Sequence, residues 1–364
     1  MFSLARPGIS SGVRENERPR SIASQRRRSR VAPTLERLEG RELLSLYTGP
    51  STVRNILTSG GVFKIQVEGP GLIKVHPAPK GAIDLSAFGT TPGTTLNISQ
   101  VRPRYHFPSR LLLIQKLTIT SGQLGTLDAA PAELTGTMTT LTNSMESFTI
   151  GQLGPTAHVE VIGSVDQMNV ANIDLGPTGL VSIAGGLNTS VLTGSMTIGS
   201  LTIDGGKIAI GQDSVAPITV LDNMTIIHDG LFSVGRDLDG SLTVNGNLEL
   251  DSGGQLKVGR NLANLTVLGN VIVNPSGSGI VVNGVLGGVL VDGVFQGQGG
   301  TAAPTFFDLG VGLNLNGLTI LGGNTALNGL INANIRAGGS INGVDIAYGT
   351  INSTIQPNTP PPLG

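Results

Sequence analysis

The chain has 364 residues, with 54 Gly, no Cys, no Trp, 13% charged residues and a formal net charge of −1. Ordinary globular chains carry roughly 25% charged residues and about 7% Gly. The apolar content here is Val, Leu and Ile rather than aromatic, so it must pack a core of small side chains joined by tight turns. Without Cys there are no disulfides and no thiolate metal sites, and no run approaches the ~18–20 apolar residues of a membrane helix.

The charge is unevenly placed. Residues 1–42 hold ten Arg against five Glu, and the remaining residues are mildly acidic. Residues 1–33 lack apolar periodicity and are rich in Arg, Ser and Pro. Such a segment cannot bury enough surface to offset its ordering entropy, so it reads as a disordered leader. The run RRRSR at 26–30 suits a charged solvated tail. With no basic folded domain behind it, no nucleic-acid partner is expected.

Residues 34–46, TLERLEGRELLSL, place leucines at rough helical spacing and predict a short helical turn. The stretch is too short and polar for the apolar core of a standard signal peptide. It resembles the N-terminal LEPR-XLL-type export motif of planctomycete surface proteins through Leu35, Glu36, Leu38, Glu39, Arg41, Leu43, Leu44 and Ser45. Gly40 stands where that family has Pro or a charged residue, and Glu42 extends the spacing. The resemblance implies export to the envelope or beyond. Without it, the same residues read as a leucine-rich N-terminal cap helix.

Residues 47–109 are expected to form a small antiparallel β cap. Strands at 62–67 and 72–76 flank Gly69-Pro70-Gly71 and read as a hairpin, and two further strands follow in GAIDLSAFGTTPGTTLNISQV.

From 110 to 356 short phrases repeat. Leu242, Leu265, Val289, Leu318 and Val344 occupy equivalent places in LTV, LTV, VLV, LTI and VDI, at steps of 23, 24, 29 and 26 residues. Within each phrase apolar residues alternate with a polar or small one, the period of a strand. A meander of hairpins would not need each strand to match one about 24 residues on; a stack of coils would, because equivalent strands lie above one another. The fold class predicted is all-β, a parallel β-helix (β-solenoid) of roughly ten coils. At ~4.8 Å per stacked strand that is a rod some 50 Å long. Gly and Asn, as in Asn245-Gly246, Asn283-Gly284 and Asn342-Gly343, are assigned to corners with positive φ. The phrases KLTIT, SFTIGQL, VEVIGSV, SMTIGSLTIDGGKIAIG and NMTII carry the pattern back towards residue 110. With GQLGTLDAAPAELTG and the VGR phrases, the body also resembles repeat-rich planctomycete surface proteins, a likeness that implies no activity. Residues 357–364 read as a disordered Pro-rich tail.

The chemistry-bearing residues are sparse. His76, His106, His158 and His228 have neither metal-ligand nor triad spacing. Asp213, Asp222, Asp229, Asp237, Asp239 and Asp251 are the densest carboxylates and suit turns, with His228-Asp229-Gly230 the nearest approach to a reactive group. No catalytic, cofactor or metal residue is assigned. Calcium is the one cofactor left open, because IDGGKIAIGQD and LDSGGQLKVG set Gly-Gly near Asp without the in-register repeat of calcium-binding solenoids. The register puts Arg236 beneath Arg260 and Asp237 beneath Asn261, with Val234 under Val258 and Leu238 under Leu262 facing inward. The two arginines read as a solvated corner or as a small spot for an anionic ligand.

The expected function is a non-enzymatic exported or cell-surface structural or adhesive protein. Its partners would be envelope polysaccharide or other surface proteins. The alternative is a polysaccharide-cleaving β-helix enzyme, which needs acids and bases gathered on one exposed face.

Overall fold

A computed structural model describes residues 51–58, 61–103, 111–140, 144–187, 195–274, 277–297, 308–322 and 329–357. The chain divides into two units, Met1–Glu42 and Leu43–Gly364, and all described residues belong to the second. The leader, the helical turn at 34–46 with its export-type residues, and residues 358–364 lie outside the described residues. Among those described, the structure is strand throughout, with one 3₁₀ turn at Pro79–Gly81.

Three strand ladders run parallel through the body, so the coil is three-sided. The first face is followed rung by rung through Leu127, Phe148, Met168, Met196, Ile218, Leu242, Leu265, Val289, Leu318 and Val344. Those ten rungs make nine steps, roughly 43 Å at the spacing of adjacent strands. The last five rungs carry the register read from the sequence, residue for residue. The long step from Val289 to Leu318 spans residues 298–307, outside the described residues. The second face runs through Leu201, Met224, Leu248, Val271, Phe295 and Leu330. The third runs through Val159, Val181, Ile208, Phe232, Leu256, Ile280, Leu309 and Ile335. Between the third and first faces, Ser214, Leu238, Leu262, Leu286, Leu315 and Ile341 stack through single parallel bridges.

The recurrent Thr-between-aliphatics phrase therefore does not mark one face. SMTI lies on the first face, SLTI on the second and KIAI on the third, so residues 195–210 make one circuit. Inward aliphatic residues alternate with outward ones, most of them polar: Leu242 and Val244 are fully buried while Thr243 between them is half-buried. One coil cannot shield its own aliphatics from water; the rungs above and below do so, which is why the pattern must repeat. Phe148, Phe232 and Phe295 sit one to each face inside this aliphatic stack.

The N-terminal cap is β as expected but paired differently. Gly61–Glu68 does not form a hairpin with Leu72–Pro77. It pairs antiparallel with Val53–Thr58 on one side and Thr95–Pro103 on the other, while Leu72–Pro77 pairs antiparallel with Ile83–Thr90. Gly69 and Gly71 have positive φ and steer the chain from one pair to the other instead of closing a turn between them. Ile83–Thr90 and Thr95–Pro103 are the converting strands. Each is antiparallel to the cap on one edge and parallel to the solenoid on the other, against Leu112–Gly122 and Thr126–Thr140. Thr126–Thr140 extends unbroken over positions that later coils divide among three short strands. At the far end, Pro357 completes the strand Thr354–Pro357, so the solenoid runs one residue past its expected boundary.

The corners correct the expected role of Asn-Gly. Positive φ concentrates at the corner between the second and third faces, at Gly205, His228, Asp229, Ser252, Gly253, Gly277, Asn332 and Asn352. Gly246 and Gly284 do not have it, and of the three Asn-Gly pairs assigned to corners from the sequence only Gly343 does. Close approach explains the other two. A Cβ on Gly246 would sit 2.5 Å from Asn223 Oδ1 and 2.7 Å from the Asp222 carbonyl, and one on Gly284 would collide with Asn261 Oδ1. Glycine is required there because a side chain of the preceding coil already fills the space.

Candidate functional site

Two columns of side-chain amides and carboxylates run up the corners. At the corner between the third and first faces, Asp213 Oδ1 accepts the Asp237 amide (3.2 Å), Asp237 Oδ1 accepts the Asn261 amide (2.9 Å), and Asn261 Oδ1 accepts the Val285 amide (2.8 Å). At the corner between the first and second faces, Asn223 Oδ1 accepts the Asn247 amide (2.8 Å), Asn247 the Asn270 amide (2.8 Å) and Asn270 the Val294 amide (2.9 Å). Each side chain satisfies a backbone N–H one coil on that the bend leaves without a strand partner. Both columns are interrupted at valine in the same coil, because Val285 and Val294 have nothing to offer the next rung; the first resumes where Asn314 Oδ1 accepts the Ser340 amide (2.9 Å). The columns were not foreseen, though the signal was present: Asn223, Asn247 and Asn270 recur at 24 and 23 residues, and Asp213, Asp237 and Asn261 at 24 and 24.

Arg236 and Arg260 lie on the first of these corners, where the register placed them. The Arg260 amide donates to the Arg236 carbonyl at 3.0 Å, which fixes one above the other. Arg260 Nη2 lies 2.9 Å from Asp237 Oδ2 and 3.2 Å from Asp213 Oδ1, two coils back, and Arg236 Nη1 lies 3.9 Å from Asp213 Oδ2. Two guanidiniums and two carboxylates sum to zero charge. The backbone hydrogen bond from Asp237, and then Arg260, hold the Asp213 carboxyl below the usual carboxylate range against its partial desolvation. The geometry is that of a neutral ion-pair network, with each guanidinium already facing a carboxylate.

The remaining carboxylates do not converge. The register puts Asp222 at the corner between the first and second faces, Asp229 and Asp251 at the corner between the second and third, and Asp239 one residue past Leu238. Asp251 Oδ1 accepts both the amide (2.6 Å) and the hydroxyl (3.2 Å) of Ser252, a turn function. His228 Nδ1 pairs with Asp204 Oδ1 at 2.6 Å on an exposed turn. His76 is on an outer cap strand, His158 on the third face, and His106 outside the described residues. Among the described residues no three His, Asp or Glu side chains gather as a metal site. The two Gly-Gly phrases supply the positive-φ residues Gly205 and Gly253 to one corner.

A different acidic pair emerges on the second face. Glu133 is in register with Gln152, and Gln152 with Asn172. The Glu133 carboxylate lies over Gly154 of the next coil, 2.9 Å from where a Cβ there would stand, and Asp174 stands one coil further on. Burial, and then the Asp174 charge, push the Glu133 carboxyl above its ordinary value. On the third face a shallow groove crosses Val281, Gly310 and Arg336, where Gly310 leaves a gap in the outward column.

The first face carries the most regular outward surface. Its central positions are Thr149, Asn169, Thr197, Thr219, Thr243, Thr266, Leu290 and Thr319 on consecutive rungs. Compared with models of known protein families, with curated proteins and with solved structures, the chain matches none. Among the described residues no helix is long and apolar enough to cross a membrane.

Proposed function

We propose that the chain is a non-enzymatic structural or adhesive β-solenoid of the cell exterior, whose outward faces contact envelope polysaccharide or neighbouring surface proteins. The observation that supports this reading is the threonine column of the first face. Thr197, Thr219, Thr243 and Thr266 follow one another without interruption. Each offers a hydroxyl and a methyl group at strand spacing, ~4.8 Å, on a backbone held from both sides. A surface already ordered loses little conformational entropy on contact, so many weak contacts with a repeating partner can add up. The placement outside the cell rests on the resemblance at Leu35–Leu44 and on the body's likeness to repeat-rich surface proteins. Calcium remains a cofactor for titration to test.

The runner-up reading, a polysaccharide-cleaving enzyme, draws on Glu133. A carboxyl pushed above its ordinary value by burial, with a second carboxylate near it, is the kind of pairing that acid–base cleavage of glycosides uses. One experiment separates the readings. Purified protein is mixed with insoluble envelope polysaccharides, and bound protein and released sugar are both measured. Retention without release, weakened by Thr219→Lys and Thr243→Lys, supports adhesion. Release of product abolished by Glu133→Gln supports the enzyme. Neither retention nor release removes the glycan reading and leaves contact with surface proteins. Recovery wholly in the cytosol after cell fractionation refutes the proposed location.

A further inference from the structure

Four Asn-Gly pairs lie wholly within the described coils, at 245–246, 283–284, 316–317 and 342–343, chemically alike and structurally unlike. In Asn245-Gly246 the glycine amide donates to the Asp222 carbonyl at 2.9 Å, and in Asn283-Gly284 it donates to the Arg260 carbonyl at 2.7 Å. Gly284 is also buried. Both pairs are clamped between a preceding and a following coil. In Asn316-Gly317 the glycine N–H also has no acceptor among the described residues, but this glycine is half-buried, lacks positive φ and leads into Leu318–Ile320, which is paired on both sides. Asn342-Gly343 lies in the last rung of the first face, where Val344–Ile346 pairs on one side only among the described strands. Gly343 is exposed, has φ +65°, and its N–H has no acceptor among the described residues. The pair is anchored through the Asn342 amide, which donates to the Leu315 carbonyl (2.8 Å), and the Gly343 carbonyl, which accepts the Leu318 amide (2.9 Å). The Asn342 side chain is held only through Nδ2, at 3.2 Å from Ser340 Oγ and 3.4 Å from Asn316 Oδ1.

From this contrast we propose that Asn342-Gly343 is a modification site, the place where the folded chain deamidates spontaneously. The Gly343 nitrogen attacks Asn342 Cγ and forms the ring C–N bond. Ammonia leaves, carrying Nδ2 and the proton released from the Gly343 amide. Water then opens the five-membered imide at either carbonyl, giving aspartate or isoaspartate. The reaction requires the glycine nitrogen to be free of a hydrogen bond and able to swing towards the side chain. The solenoid denies both to Gly246 and Gly284, holds the unbonded Gly317 in a coil paired on both sides, and grants both to Gly343. The product adds a negative charge to the end coil, and in the isoaspartate form lengthens the backbone between the rung contacts to Leu315 and Leu318.

The test uses the full chain, incubated in mildly alkaline buffer at physiological temperature with and without denaturant. Peptide mapping by mass spectrometry reads conversion at each site, and isoaspartyl methyltransferase labelling reads the isomer. In the folded chain Asn342 is expected to convert at least about tenfold faster than Asn245 and Asn283, whose glycine amides react only after local opening, and faster than Asn316, whose coil is held on both sides. In denaturant the four rates converge, because each asparagine is followed by glycine. Asn342→Gln removes the fast site while leaving the circular dichroism unchanged. Comparable rates at all four sites in the folded chain, or conversion at Asn316 as fast as at Asn342, overturn the proposal. So does a folded chain that converts at none of them over a period sufficient in denaturant.

Discussion

Leu262 is the sharpest probe of the stack. It is 1% exposed and bridged between Leu238 and Leu286, both fully buried. Its backbone is fixed from above, with its amide on the Val285 carbonyl and its carbonyl on the Gly287 amide, both at 2.9 Å. Leu262→Ala removes three carbons from a site whose neighbours are held by their own ladders and cannot close in, so the cost falls in the upper part of the leucine-to-alanine range, about 3–5 kcal/mol. Leu262→Asp costs more, since it adds an unpaired charge between two apolar rungs. The control is the double change Arg236→Gln and Arg260→Gln on the same corner. These side chains are about half exposed, and exposed ion pairs contribute about 0–1 kcal/mol. Solenoid coils can open separately, so a single melting temperature is a poor readout. Hydrogen exchange across residues 231–297 resolves the coils: for Leu262→Ala, amide exchange in the neighbouring rungs is expected to quicken by roughly 100-fold or more. Equal tolerance of the leucine and arginine changes would refute the assignment of inside and outside, and with it the register.

Other expectations follow from the corners. Gly284→Ala should destabilise by about 1–3 kcal/mol because its methyl group collides with Asn261 Oδ1, whereas Gly317→Ala, whose nearest neighbours stand 3.9 Å away, should be neutral or stabilising by a few tenths; denaturant titration monitored by hydrogen exchange compares them. Asn247→Ala removes the acceptor of the half-buried Asn270 amide and should cost about 1–2 kcal/mol, with faster exchange at Asn270 as the local sign. The depressed Asp213 carboxyl contributes stability that is complete above the ordinary carboxylate range and is lost as pH falls through its lowered value. Asp213→Asn should therefore flatten the acid limb of protection at the 213–237–261 corner. The raised Glu133 carboxyl has the opposite sign, since its ionised form is the penalised one. Glu133→Gln should be neutral to stabilising at neutral pH, with the difference vanishing in acid, as thermal melts against pH would show.

The parallel stack was legible in the linear sequence because its determinants are local and repeated. Alternation in LTV, LTV, VLV, LTI and VDI says which side chain faces inward, and the return of the phrase says which residue lies above which. The rungs Leu242, Leu265, Val289, Leu318 and Val344 follow from those two facts alone. Pairing in the cap was not legible. Gly61–Glu68 and Leu72–Pro77 each alternate well enough to pair with several partners, and only the joint demands of closing the cap and feeding the parallel stack choose among them. The glycines of Asn-Gly likewise carry no mark distinguishing a need for positive φ from a need for empty space. That difference exists only once Asn223 and Asn261 of the coil below project into the gap. The arginine corner shows the same limit. Arg236 and Arg260 were placed correctly by register, yet Asp213, 47 residues before Arg260, meets it only because two turns of the solenoid bring the corners into line. Sequence periodicity determines what stacks on what; the side chains that reach between coils, and so the charge and chemistry of each corner, are decided by the folded geometry.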